Sequence, residues 1–216
     1  MLTVAAVLRS GGDFDATWVE KLERSCFEKI REPHRFVCLT DLKVGGSWID
    51  WRPLEHTWPG WWAKIELFRP DLFQKGEPVL YFDLDTIVVR DVSHLSGTID
   101  CDLVLLRDFY RLQAGWGTGI MGWTAGSLGQ IYETFKASPR TFISKYRSDQ
   151  DFIKMLVPPS WIRFWQDEYP DQFVSYKIHC RERGVFPPTA HVVCFHGRPR
   201  PTEIFGDWVQ EYWRKR

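Results

Sequence analysis

The sequence predicts an α/β fold: one domain with a Rossmann-like, mixed and mainly parallel sheet flanked by helices. Two observations carry that expectation. Short apolar runs of strand length alternate with segments whose apolar residues recur at helical spacing. The chain also has 216 residues and 44% hydrophobic content, enough for one substantial core.

The elements follow in order. Thr3-Val4-Ala5-Ala6-Val7-Leu8 is a buried strand that runs into the turn Arg9-Ser10-Gly11-Gly12. Thr17-Trp18-Val19-Glu20 matches a capping box, and Trp18, Leu22, Cys26 and Ile30 continue at helical spacing. His34 to Asp41 reads as a second strand, which completes a βαβ unit with parallel pairing. Gly60 to Phe68 reads as a helix stopped by Arg69-Pro70, and Pro78 to Phe82 as a further buried strand. Asp102 to Leu106 is another. Gly115 to Trp123 is rich in glycine yet apolar, as suits a strand that passes close to a neighbour. A helix is expected from about Leu128 to Phe135, late strands at Val174 to Ile178 and His191 to Phe195, and a terminal helix at Trp208 to Trp213. No repeat, low-complexity tract or long linker interrupts this pattern.

Twenty-eight basic residues balance 28 acidic ones, so no bulk field points to nucleic acid or an anionic membrane. The first residues read as a strand rather than a signal peptide, and no segment approaches the roughly 18 apolar residues of a bilayer span. A soluble, cytoplasmic protein is expected. Cys26, Cys38, Cys101, Cys180 and Cys194 are odd in number and never form Cys-x-x-Cys, which predicts buried thiols rather than a disulfide framework or zinc site. Twelve tryptophans fit either an aromatic core or a cleft that stacks rings. No P-loop and no Gly-x-Ser-x-Gly elbow is present.

The stretch Tyr81-Phe82-Asp83-Leu84-Asp85-Thr86-Ile87-Val88-Val89 holds two carboxylates two positions apart inside an apolar run. In an extended chain both point to one side, and at about 5 Å they repel by roughly 3 kcal/mol at an effective dielectric near 20. A proton, a cationic side chain or a metal would offset that repulsion; the same triplet also suits a solvated turn. His196 leaves the late apolar strand and is followed by Gly197, Arg198 and Arg200. An imidazole with Asp83 and Asp85 suits a divalent ion such as Mn²⁺ or Mg²⁺, and the two arginines suit a diphosphate.

Four stretches in this order, YFDLDTIVVRDVSHL, GWGTGIMGW, SDQDFI and VVCFHGRPRP, resemble the GT-A-type glycosyltransferases of family 8, the group of glycogenin and bacterial lipopolysaccharide galactosyltransferases. The block WPGWWAKIELF is similar to small bacterial and phage-encoded relatives of that group. The resemblance implies a metal-dependent transfer of a sugar from a nucleotide diphosphate sugar, commonly a UDP-sugar, to a hydroxyl acceptor with retention of configuration. It implies Asp83, Asp85 and His196 as metal ligands, and Asp149, Gln150, Asp151 and Lys64 as residues at the reacting sugar. Arg9, Ser10, Lys64, Asp83, Gly119, Gly197, Arg198 and Arg200 complete the implied donor-binding set. Residues 1–125 would then form the nucleotide-sugar and metal-binding part, and residues 126–216 the acceptor side, with His196 returning to the metal site.

Two departures from the family pattern bear on the donor. Gly117-Thr118-Gly119 stands where the family has Asn-x-Gly, so a side-chain amide is missing, and Arg200 stands where the His-Gly motif has lysine. The acceptor stays open: a saccharide, a lipid-linked glycan, a protein side chain or a modified phage DNA base, the last not favoured by a neutral chain. The same residues would also serve a nucleotide-sugar hydrolase or phosphotransferase, and the tryptophans a non-catalytic carbohydrate-binding module.

Overall fold

The computed structural model describes residues 1–44, 48–100, 103–112, 115–205 and 208–214. Among the described residues ten strands form two sheets. They are β1 (Leu2–Leu8), β2 (His34–Thr40), β3 (Asp50–Pro53), β4 (Pro78–Phe82), β5 (Thr86–Val88), β6 (Leu103–Arg107), β7 (Trp116–Thr124), β8 (Ile162–Phe164), β9 (Phe173–Ser175) and β10 (Val192–Cys194). The larger sheet has the order β3-β2-β1-β4-β7-β6-β8, and only β7 runs against the others. The smaller has the order β5-β10-β9. The α-helices are α1 (Ala16–Lys29), α2 (Gly129–Ala137), α3 (Pro139–Lys145), α4 (Asp149–Leu156), α5 (Trp165–Glu168) and α6 (Trp208–Arg214).

The period-two alternation of β1 sorts its side chains between two cores. Val4, Ala6 and Leu8 join the cluster that holds Trp18 and Leu22 of α1, while Ala5 and Val7 face the opposite cluster with Trp62, Ile65 and Phe135. Burial on both faces explains why β1 carries no polar face, as a parallel strand between helical layers requires. The first βαβ unit is as expected, with β1 and β2 paired in parallel from Leu2↔His34 to Leu8↔Thr40.

Several expectations are corrected. The cap of α1 is Asp15, whose carboxylate accepts the Thr17 amide, so the capping box at Thr17 and Glu20 does not form. Gly60–Phe68 winds as a 3₁₀ helix, tighter than the α-helix expected. The run through the two aspartates is not one strand: β4 stops at Phe82, the Asp83 carbonyl accepts the Thr86 amide at 3.0 Å, and the chain turns into β5 of the other sheet. The strand expected over Val174 to Ile178 ends at Ser175, because the Ser175 side chain accepts the Ile178 amide and starts the helical turn Tyr176–Cys180. Cys101 and Asp102 lie outside the described residues, as do Lys215 and Arg216; Cys26, Cys38, Cys180 and Cys194 are buried free thiols. No described helix is long and apolar enough to cross a membrane.

Candidate active site

The carboxyl ends of β1, β2, β4 and β6 share one edge with the amino end of β7, as the pairs Leu8↔Thr40, Phe82↔Ile120 and Arg107↔Trp116 show. Open α/β sheets leave their ligand crevice at such an edge. Here it is a cleft of about 1010 Å³, floored by Asp83, Asp85, Lys64 and Asp149 and walled by Leu106–Arg111, Arg147–Asp151 and Cys194–Gly197.

The floor is a charge network. Lys64, buried in the 3₁₀ helix, places its ammonium 3.0 Å from Asp149 Oδ2 and 3.5 Å from Asp83 Oδ1, and donates to Thr118 Oγ1 at 3.2 Å. Thr118 in turn donates to Asp149 Oδ2 at 3.0 Å. Burial alone would push the ammonium towards neutrality, but Asp149 and then Asp83 outweigh it and raise its pKa. Burial also lifts Asp149 above the usual carboxylate range, against the pull of Lys64. The Tyr81 hydroxyl donates to Asp83 Oδ1 at 2.5 Å; burial, reinforced by that carboxylate, keeps the phenol protonated.

Asp83 packs closely against Gly119. Its amide donates to the Gly119 carbonyl at 2.7 Å, and a Cβ on Gly119 would stand 3.1 Å from Asp83 Oδ2. Asp85 is nearly buried and paired with the Arg200 guanidinium, which also lies over the Phe14 ring at 4.7 Å. Burial and the neighbouring Asp83 charge push Asp85 up to about 7, with Arg200 opposing them.

Asp83 and Asp85 both line the cleft, although the chain turns between them rather than running extended. His196 lines it too, but its Nε2 is hydrogen-bonded to Ser175 Oγ at 2.6 Å and its ring stacks on Phe109 at 5.7 Å. Among the described residues no three His, Cys, Asp or Glu side chains gather at metal-ligand spacing. The two carboxylates are hard oxygen donors that fit a divalent cation, while the expected three-ligand set is not assembled in this arrangement.

The remaining expected residues divide. Lys64, Asp149, Gln150, Asp151, Arg9, Ser10, Gly119, Gly197 and Arg200 all line the cleft. Arg198 does not: it is exposed and engaged by Glu203 and Asp13. Asp41 was missed in the sequence and organises the end of β1, accepting the Ser10 amide at 2.8 Å and its hydroxyl at 2.5 Å, and pairing with Arg9 at 2.7 Å. Tyr81 and Thr118 were missed as well; each becomes visible only once β4, β7 and the 3₁₀ helix meet.

No protein-family model matches the chain, and no curated protein matches it in sequence. Solved structures do match in fold. The glycosyltransferase GlyE of Streptococcus pneumoniae superposes with a TM-score of 0.73 at 15% identity, over 99% of this chain and 60% of its own. The galactosyltransferase LgtC, solved with donor and acceptor sugar analogs, gives 0.65 at 14% identity, over 97% of this chain and 93% of its own. The fold is that of the GT-A glycosyltransferases. The bifunctional glycosyltransferase WbbM shares it with a TM-score of 0.60 at 14% identity, over 98% of this chain. The chain thus spans about 60% of the length of GlyE and 48% of that of WbbM.

Proposed function

We propose that this chain is a metal-dependent glycosyltransferase that moves a sugar from a nucleotide diphosphate sugar, a UDP-sugar in the first instance, to a hydroxyl acceptor with retention. One observation carries the reading: two carboxylates face a large cleft at the carboxyl edge of the sheet, beside a buried lysine shared with a third carboxylate. Such a floor suits a ligand that brings both a diphosphate and a cation.

Asp83 and Asp85 would hold a divalent ion such as Mn²⁺ or Mg²⁺, which supplies charge neutralisation to the departing diphosphate. Arg200 reaches Asp85 in this structure and is placed to pass to phosphate oxygens, which its fork-shaped guanidinium suits. His196 would join the ligand set by giving up Ser175. Arg9 and Ser10, fixed by Asp41, form the wall for the nucleoside.

Asp149 Oδ2 is engaged by Lys64 and Thr118, so we assign it to positioning Lys64 rather than to attack on the sugar. Gln150 and Asp151, which follow at the start of α4 and line the cleft, are assigned to the face of the donor sugar. In the transfer, the bond from the anomeric carbon to the diphosphate oxygen breaks, and its electron pair leaves on the diphosphate. The acceptor oxygen bonds to that carbon, and its proton passes to the departing phosphate oxygen. Lys64 offsets the negative charge of the floor while this happens.

Calorimetric titration of UDP, GDP and CDP, each with Mn²⁺ and again with excess EDTA, tests the reading. Binding of one nucleotide that vanishes in EDTA, and in the Asp85→Ala variant, is expected. Folded protein that binds none of them, or binds equally in EDTA, would contradict it.

A further inference from the structure

Trp61 is an exception among the tryptophans around it. Trp58 and Trp62 are buried, the latter stacked on Phe135 at 5.1 Å, whereas Trp61 is 56% exposed and lines the cleft. Its position follows from the helix it sits on. A 3₁₀ helix has three residues per turn and rises about 2.0 Å per residue, so side chains three apart are eclipsed. Trp61 therefore projects on the same side as Lys64, about 6 Å along the axis. Gly60, with φ +53 in the left-handed region that glycine adopts freely, is the first residue of that helix.

Lys64 is the cleft floor, held by Asp149 and Asp83. Tyr110 lines the same cleft and is 64% exposed, its backbone amide held by Asp108 and its ring edge-on to His196 at 5.4 Å. Trp61 and Tyr110 are the two exposed aromatic side chains of a cleft that also carries Asp83, Asp85, Lys64 and Arg200, and together such groups suit a pyranose ring whose C–H face packs on an aromatic face while its hydroxyls meet polar side chains.

We infer that Trp61 and Tyr110 form the acceptor subsite and that its occupant is a saccharide, stacked by one pyranose ring on the Trp61 indole with its hydroxyl directed at the floor. The inference rests on the glycosyltransferase reading and deepens it. A polyanionic acceptor fits less well, because the chain has no net charge to draw it in and Asp13, Asp108 and Asp151 stand along the cleft beside its arginines.

The test is an array of immobilised oligosaccharides, with duplex DNA and lipid vesicles as further arms, probed with protein loaded with UDP and Mn²⁺. UDP affinity is measured separately by calorimetry on each variant. Trp61→Ala should lose about tenfold or more of the saccharide capture while its UDP affinity stays within about twofold of wild type. Trp61→Phe should retain most of the capture. Undiminished capture by Trp61→Ala would overturn the inference, as would wild-type protein that binds UDP but captures no saccharide or only DNA or vesicles. Wild-type protein that binds no nucleotide would instead bring down the glycosyltransferase reading and this subsite with it.

Discussion

Replacing Lys64 with methionine is the most informative single change to the floor of the cleft. The lysine side chain is 10% exposed and that of Asp149 4%, so both charges are out of water. At their 3.0 Å separation the attraction is about 5.5 kcal/mol at an effective dielectric of roughly 20. Asp83, at 3.5 Å, adds about 4.7 kcal/mol on the same scale. Most of this only offsets the desolvation of the charges, so the gross figure is not the stability at stake. What Lys64→Met exposes is an unpaired, buried Asp149, and breaking one side of a buried pair costs about 3–5 kcal/mol. For a chain of this size that lowers Tm by roughly 6–20 °C. Differential scanning calorimetry of Lys64→Met, Asp149→Asn and the double variant measures it. The double variant should recover much of the loss, because it removes both charges together. A loss below about 1 kcal/mol in Lys64→Met, or a double variant equal to the sum of the singles, would refute the account of the floor.

Three further outcomes follow from the packing and the titrations. Gly122→Ala would place a Cβ 2.7 Å from Trp165 Cζ2 and 2.9 Å from Ile99 Cγ1, both in the core, and should cost about 1–3 kcal/mol; an unchanged urea midpoint would contradict this. Gly119→Ala would place a Cβ 3.1 Å from the Asp83 carboxylate and in ordinary contact, at 3.9 Å, with Leu106 Cδ1, so stability should hold while metal-dependent nucleotide affinity falls about tenfold; the reverse pattern in calorimetry would show that Gly119 serves packing instead. His179 is held below its ordinary value by burial, with Arg183 adding to it, so its neutral form favours the fold above pH 6.5 and that contribution is lost as the pH falls through the lowered value. Imidazole NMR should show it titrating below 6.5, and a midpoint at or above that value would contradict the burial.

Much of this architecture is legible in the residues themselves. The first βαβ unit declares itself because β1 and β2 are buried on both faces and α1 carries Trp18, Leu22 and Cys26 on one side. The two aspartates could be placed at a strand end, while Lys64 and Asp149 were tied to them only by the family resemblance. The corner at Asp83 to Asp85 was legible only as a solvated turn, not as a buried passage between two sheets. Leu84 is buried between the two aspartates, and Ile87 and Val88 are buried after them, so no change of polarity marks the passage from one sheet to the other. Val174 to Ile178 misleads for a related reason: its apolar residues suit a strand, and only the Ser175 side chain, accepting the Ile178 amide, turns it.

Asp41 lay within reach of the sequence, since parallel register puts Thr40 beside Leu8 and so the next residue beside Arg9. The Arg200 pairing with Asp85 did not, because 115 residues separate them and nothing local encodes the meeting. Nor does the motif around His196 show where the fold leaves it, against Ser175 rather than among the carboxylates.

The central claim is that the cleft cleaves a nucleotide sugar between sugar and diphosphate and delivers the sugar to a hydroxyl. Phosphorus NMR of UDP-hexoses incubated with the protein, Mn²⁺ and a pool of oligosaccharides reads this directly. The account predicts release of UDP that requires Mn²⁺ and accelerates when the saccharides are added. No UDP from any donor, release that water alone supports at the same rate, or the appearance of UMP would contradict it.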